Sequence, residues 1–337
     1  MSGVILVSGG AGYIGSHTVL ALRERGRDVL VLDDLSEGHE AALLGAPLAR
    51  GSMLDRDFVR SVFEQHDVEA VFHFAARCYV GESVSDPGLY YRHNVLGTLN
   101  LLDAMAATGV NRFVLSSTCA TYGEPERIPI TEDLPQNPIN PYGATKLVDE
   151  WMLRDFHTAH GIESVALRYF NAAGADPEGR IGEDHEPETH LIPLVLQVAL
   201  GQREQITVFG DDYDTPDGTC IRDYVHVTDL AEAHVLALEK MEKAPGSTGV
   251  TAYNLGNEAG TSVLEVIRSA EEVTGRPIAK TVGARRPGDP PRLVGSSARV
   301  REALGWRPRF GDIRTIVETA WRWHEAHPNG FGDRQPG

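Results

Sequence analysis

The sequence predicts an α/β protein: a doubly wound parallel sheet carrying a smaller α/β domain. Three observations predict it. Short apolar runs alternate with helical patterns through the first half, a glycine-rich turn joins the first strand to the first helix, and the texture changes after Asn171.

The elements follow in order. VILVSG (4–9), DVLVLD (28–33), AVFHFAA (70–76) and RFVLSS (112–117) are β-branched and aromatic, and read as strands buried on both faces of a parallel sheet. Between them SHTVLALRERG (16–26), LDRDFVRSVFEQHD (54–67) and NVLGTLNLLDAMAATG (94–109) have helical spacing with glycine near their ends. ESVALRYFN (163–171) is a later strand. The polar stretch 172–190 and the segment 210–219 read as loops. LIPLVLQVALG, 261–275 and WRWHEAHP read as helices, and 224–241 resumes a strand-to-helix pattern. In the last helix Trp321, Trp323 and His324 are expected to pack. Residues 283–295 are rich in Pro, Gly and Arg, and a polar tail from about Gly330 is expected to be disordered. The implied division is a first domain over 1–172, to which a segment near 222–240 returns, and a second over 173–330.

Composition narrows the function. The 337 residues are too many for one typical core, and 42% hydrophobic with 23% charged residues is ordinary for a soluble protein. A formal net charge of −17 argues against nucleic-acid or membrane-surface binding, because polyanions are repelled. Cys78, Cys119 and Cys220 are odd in number and form no CxxC pair, so neither a disulfide framework nor a thiolate zinc site is supported. With no leader pattern and no apolar run long enough to span a bilayer, a cytoplasmic protein is expected.

The first strand runs into GGAGYIGSH, in which Gly10, Gly12 and Gly15 have dinucleotide-binding spacing and open a helix. Glycine there allows a tight turn and close backbone approach to a pyrophosphate, while the helix N-terminus offers free N–H donors. Asp33 ends the second strand at roughly the 20-residue distance expected of a carboxylate on the adenosine ribose. A carboxylate repels a 2′-phosphate, so NAD is expected over NADP, on a Rossmann-type sheet.

RFVLSS leads into SSTCATYG, placing Thr118 at the carboxyl end of a strand, where such sheets bind ligands. In INPYGATKLVD, Asn140 is a helix N-cap, Pro141 the first helical residue, and Tyr142 and Lys146 stand at i and i+4 on one face. A surface ion pair is the simplest explanation. The alternative is a general base: a free Tyr has a pKa of about 10, and lowering it by about 2–3 takes roughly 3–4 kcal/mol. A nearby ammonium in a partly desolvated cleft supplies that, whereas a solvated pair does not.

These motifs, with FHFAA…VGES, YYRHNVLGT, LRYFNAAGA, FGDDYDTPDGTCIRDYVHV, YNLGN and RRPGD, resemble the extended short-chain dehydrogenase/reductase family in its nucleotide-sugar 4-epimerase branch, from residue 3 to about 325. The resemblance implies NAD-dependent interconversion of UDP-galactose and UDP-glucose, a step of galactose metabolism, through a 4-keto sugar that turns over and is reduced again. Tyr142 would be the base, Lys146 would lower its pKa and hold the nicotinamide ribose, and Thr118 would bond the same sugar hydroxyl. Gly9, Gly10, Gly12, Tyr13, Ile14, Gly15, Asp33, Ser52, Met53, Phe74, Ala75, Ala76, Cys78, Asn94, Ser116 and Tyr169 would line the cofactor site. Asn171, His190, Leu191, Arg222, Arg286, Asp289 and Leu293 would hold the nucleotide sugar. A homodimer through helices at roughly 90–107 and 142–160 is also implied.

Departures from the pattern are informative. Cys119, Ala120 and Thr121 follow Thr118 where a dehydratase is expected to carry an acid, which favours epimerisation. Gly51-Ser52 replaces Gly-Asp, removing one expected adenine contact. Cys78 reads as a small packed cysteine, and His73 as a satisfied core histidine. His185 and His190 sit among Glu186 and Glu188, but the spacing matches no tetrahedral zinc signature, so no metal is expected. Leu293 is smaller than an aromatic at a position expected to limit the sugar pocket, which leaves other UDP-sugar 4-epimerase activities open, on N-acetylated hexosamines or pentoses. A non-catalytic NAD-binding regulator is the further alternative, with no need for Tyr142, Lys146 and Thr118 together.

Overall fold

In the computed structural model, which describes residues 3–286 and 289–333, seven parallel strands form the central sheet. In chain order they begin with β1 (Val4–Ser8), β2 (Val29–Asp33), β3 (Leu48–Arg50), β4 (Val68–His73), β5 (Arg112–Thr118) and β6 (Glu163–Tyr169). The spatial order is Val250–Leu255, β6, β5, β4, β1, β2, β3. The strand order therefore reverses between β1 and β4, and that switch opens a crevice beyond the strands' carboxyl ends. The outermost strand, Val250–Leu255, pairs with β6 from Val250↔Ser164 to Leu255↔Tyr169. So more of the chain returns to the sheet than the helix near 222–240 alone.

Side chains alternate across the sheet, as the two-residue strand period requires. Ile5 and Val7 pack with Val19 and Leu22 of the Tyr13–Glu24 helix and Leu230, Ala233 and Val235 of the Val227–Lys243 helix. Leu6, Leu30 and Leu32 face the other way, toward Val59 and Phe63 of Arg56–Gln65, Leu101 and Met105 of Gly97–Thr108, and Leu153 of Pro141–His160. Burial on both faces explains why the strands read as unbroken apolar runs. The helices flanking this sheet start and stop within a few residues of expectation, and Gly109 and Gly161 close two of them in the left-handed conformation, whereas the last helix, Ile313–Ala326, begins eight residues before the expected WRWHEAHP.

Beyond Asn171 the chain builds a second core. Helices Leu191–Leu200, Val263–Thr274 and Ile313–Ala326 enclose Val195, Leu196, Val266, Ile267, Ile316 and Val317, against strand Ile206–Phe209. Among the described residues three small sheets lie here, the most telling with Ile221–Arg222 between Thr261–Ser262 and Arg292–Leu293. The chain end corrects one expectation. Residues 330–333 are docked: the Phe331 N–H donates to Asp184 Oδ2 at 2.9 Å, and His39 Nδ1 lies 2.6 Å from Asp333 Oδ1. The rest of the tail expected to be disordered, 334–337, lies outside the described residues. Among the described residues no helix is long and apolar enough to cross a membrane.

Candidate active site

The crevice is floored by the glycine turn. Gly9 has φ +74°, and a Cβ there would sit 2.3 Å from the Ala75 nitrogen. A Cβ on Gly15 would meet the Gly9 carbonyl oxygen at 2.1 Å, and one on Gly10 the Val31 methyls at 2.9 Å. Gly12 is the helix N-cap, no side chain caps that end, and its missing Cβ leaves an open face over the first helical N–H groups of Tyr13, Ile14 and Gly15. This is a cradle an anionic diphosphate fits. Asp33 is held beside it: Oδ2 accepts the Ala11 N–H at 3.0 Å and Oδ1 the Leu35 N–H at 2.9 Å. Burial outweighs these two donors and raises its pKa. Phe74 and Ala75 donate their N–H groups to the Ser8 carbonyl, at 2.8 and 3.1 Å, and half-buried Ala76 continues that wall. Ser52 Oγ accepts the Leu54 N–H at 3.3 Å, and the Met53 carbonyl accepts from Asn100 Nδ2 at 2.8 Å.

Across the crevice β5 ends at Thr118, where the chain turns into the short Cys119–Tyr122 helix. Asn140 Oδ1 accepts the Gly143 N–H at 2.8 Å and Pro141 opens the next helix, so Tyr142 emerges from a capped first turn. The Thr118 hydroxyl accepts the Ala120 N–H at 3.1 Å and stands close enough to the Tyr142 phenol to act on its pKa, as do Cys78, Cys119 and Tyr169. Burial first, then the neighbouring Cys78 and Tyr169, push the phenol's pKa well above its ordinary value, and Thr118 opposes them. Lys146 stands one turn further along the same helix. Its ammonium is buried and donates to Asp149 Oδ2 at 2.9 Å, a carboxylate raised to about 6 by burial against the pull of Lys146. Ser116 Oγ and the Tyr169 hydroxyl share a hydrogen bond.

A glycine cradle, an acid closing β2 and a hydroxyl–phenol pair opposite are an arrangement for dinucleotide redox chemistry, and the family model for "NAD dependent epimerase/dehydratase family" matches residues 5–256. The chain belongs to this family. It is 54% identical over 327 residues to a UDP-glucose 4-epimerase of Halalkalibacterium halodurans, covering 97% of each chain. Among solved structures, a UDP-glucose 4-epimerase from Brucella ovis in complex with NAD superposes with a TM-score of 0.92 at 50% identity, over 95% of this chain and 98% of that one. The Bifidobacterium longum enzyme in complex with NAD+ and UDP gives 0.92 at 38% identity, over 97% and 99%.

On the second lobe of this epimerase/dehydratase family member, Arg222 is ion-paired to Asp289, and its Nη1 donates to the Ile221 carbonyl at 2.7 Å. The Arg286 guanidinium stacks 4.2 Å from the Phe209 ring centroid. Asn171 Nδ2 donates to the Asp223 carbonyl at 3.2 Å, and Leu191 begins the Leu191–Leu200 helix. Leu293 packs on Tyr122, Ile130 and Leu134, a small apolar cluster beside Thr118. Tyr13 bridges the lobes, its hydroxyl donating to the Gly174 carbonyl at 2.6 Å.

Several residues sit differently from expectation. Cys78 is exposed, not packed, because the chain leaves the sheet after β4 along the open crevice; its thiol pKa is nonetheless raised by surrounding protein. The Asn94 side chain is engaged within the protein: Oδ1 accepts the Arg77 N–H at 2.8 Å, and Nδ2 donates to the Arg77 carbonyl at 3.0 Å and to Thr145 Oγ1 at 2.9 Å. It straps the 74–77 segment to the Tyr142 helix. His190 is engaged by carboxylates, its Nδ1 lying 2.9 Å from Glu183 Oε1 and 3.0 Å from Glu188 Oε1. His185 joins the same group, at 3.3 Å from Glu183, and its carboxylate contacts lift its pKa to about 9 despite burial. Glu186 is exposed and takes no part, so the acid that completes this cluster is Glu183, outside the expected grouping. His73 is a satisfied core residue, with Nε2 2.9 Å from Thr98 Oγ1. Trp323 is buried and stacks on His327.

Two further acids escaped the sequence reading. Asp149 is one. Asp223 is the other: its carboxylate accepts the N–H groups of Asn257 at 2.7 Å, Gly295 at 3.1 Å and Glu258 at 3.3 Å. The FGDDY…RDYVHV block contains it, but only the fold shows which strands it gathers.

Proposed function

We propose that the protein interconverts UDP-galactose and UDP-glucose, with NAD bound throughout and regenerated in each turnover. The observation that carries this is the Thr118–Tyr142 hydroxyl pair facing a glycine cradle that ends in Asp33. The full-length likeness to relatives of that name supports it.

When bound, NAD supplies the hydride acceptor for C4′ of the sugar and returns the hydride to the opposite face. The protein's own groups do the rest. The Tyr142 phenolate takes the 4′-hydroxyl proton and hands it back on the second half of the turnover, while Thr118 orients that hydroxyl. Lys146, anchored by Asp149, holds positive charge beneath Tyr142 and the nicotinamide ribose. The N–H groups of the turn and Asp33 hold the pyrophosphate and adenosine ribose. Arg222, Arg286 and Asp289 hold the uridine diphosphate, with Asn171, His190 and Leu191 along its path. Cys119, Ala120 and Thr121 follow Thr118 with no acid among them, and this supports epimerisation over elimination of water.

The same reading divides the chain into a cofactor domain over 1–172, with returns from later segments, and a nucleotide-sugar domain over 173–330. It takes the protein as a cytoplasmic homodimer. Exposed Tyr91, Leu96 and Trp151 offer an apolar face on the two helices that would meet.

The purified protein, denatured without added cofactor, is expected to release NAD, and Tyr142→Phe to lose about 10²–10⁴-fold in turnover while still releasing it. Unchanged turnover in that variant sinks the reading. Aliphatic Leu293 on the Tyr122 cluster favours one second reading, a broader UDP-sugar 4-epimerase. UDP-galactose and UDP-N-acetylgalactosamine offered separately decide it, since equal turnover removes the strict glucose/galactose assignment.

A further inference from the structure

The strand order sets β2 and β4 on either side of β1, so the chain leaving one and the chain leaving the other flank the glycine turn. Glu37 lies four residues beyond the end of β2, and Arg77 four beyond the end of β4. At about 4.8 Å for each strand spacing, those two strands stand roughly 10 Å apart. Arg77 Nη1 and Glu37 Oε1 are nonetheless ion-paired, with the two side chains 22% and 34% exposed. A contact between residues so placed crosses the carboxyl end of β1, where a sheet of this order receives its ligand. Both arms of the bridge are fixed at their roots. On the β2 side, His39 donates its N–H to the Ala11 carbonyl at 2.9 Å, and a Cβ on Gly38 would stand 2.8 Å from the Ala11 carbonyl carbon, so this arm lies directly on the turn. The His39 ring is backed by Phe331, 4.9 Å away between centroids. On the β4 side, the fully buried Asn94 holds both the N–H and the carbonyl of Arg77 and is itself tied to Thr145 of the Tyr142 helix. A surface ion pair contributes little when two mobile chains lose their freedom to form it. Here the backbone under each charge is already held.

We propose that the Glu37–Arg77 ion pair is a latch across the cofactor crevice that slows the release of NAD. This rests on the reading in which one NAD stays bound through successive turnovers, and it names two residues that keep it there. Neither acts on the proton at Tyr142. Each works through the arm that carries it, and removing either charge unlinks the two arms over the turn.

The test follows loss of labelled NAD from the loaded full-length protein into an excess of unlabelled NAD, with no sugar present. Glu37→Gln and Arg77→Gln should each release the label about 3–10-fold faster than the parent. The double variant should be no faster than the quicker single one, because both changes cut the same contact. Arg77→Lys keeps the charge and should release more slowly than Arg77→Gln. Arg60→Gln, which breaks an exposed helix-surface pair with Glu64, should behave as the parent. Far-UV circular dichroism shows that each variant is folded, and Glu37→Ala or Arg77→Met replaces one that is not. Release unchanged in either folded single variant overturns the latch. Effects that multiply in the double variant also overturn it, since Arg77 and Glu37 then act on NAD separately. The epimerase reading fails on a different result, a protein that retains NAD as described and turns over no UDP-galactose.

Discussion

At the scale of single residues, Asp149 decides how the Tyr142–Lys146 pair works. A buried ammonium beside a buried carboxylate spends part of its field on that partner, and less reaches the phenol. Asp149→Asn should therefore move the acid limb of the kcat–pH profile down by about 1 pH unit, as Lys146 acts on Tyr142 unopposed. The same change leaves an unpaired buried charge, so stability should fall by about 3–5 kcal/mol. A pH profile that does not move assigns Asp149 to stability alone. Tyr142, Lys146 and Thr118 were legible in the sequence because a capped helix fixes their spacing and strand ends face the crevice. Asp149 was not. It sits three residues beyond Lys146 on the same helix, and an i,i+3 acid usually marks a solvated face; only the packing of Thr98 and Pro141–His160 shows that this face is interior.

At the scale of elements, two helix starts allow stability and chemistry to be separated. Asn140 caps the helix that carries Tyr142, and Ser262 caps Val263–Thr274 with a reciprocal bond to Glu265. Alanine at either cap should cost about 1 kcal/mol, read as a similar drop in Tm. Asn140→Ala should also lower kcat, because it frays the turn that aims the phenol, while Ser262→Ala should leave kcat near the parent value. Equal kcat losses count against a positional role for the first turn. The strands and helices of the sheet were readable because burial on both faces writes itself as apolar runs. The loop 172–190 was readable only as polar. Its cluster joins residues two to seven apart in a stretch that forms neither helix nor strand, and Trp323 packs over Gly182 beside Glu183.

Across the whole molecule, stability should depend on pH through histidines buried without charge. Burial lowers the pKa of His17 and His234 to about 4 and of His226 to about 3. Their unfolded counterparts protonate near 6.5, so between there and about 4 the unfolded chain binds more protons. Stability is fully present above 6.5 and falls as pH drops through that window, by roughly 3 kcal/mol for each such group at the low end. Asp149 and Asp223, both raised to about 6 by burial, act with the opposite sign between 6 and their unfolded values, and temper the fall without reversing it. Chemical unfolding at pH 7 and pH 5 should show the difference, and His234→Gln should flatten it by the share of one proton. An unaltered slope in that variant means His234 is charged in the folded state.

Asp223 has a consequence for how this protein tolerates change. One carboxylate ties together three stretches of chain that are far apart in sequence, at 223, 257–258 and 295, and its own backbone carbonyl receives Asn171. It is a hub, and hubs fail all at once. In a saturation screen scored for lost activity, substitutions at Asp223 should rank with those at Tyr142, although its carboxylate is engaged by backbone N–H groups. Scoring the same library for soluble protein should part them: Tyr142 variants accumulate normally, and Asp223 variants do not.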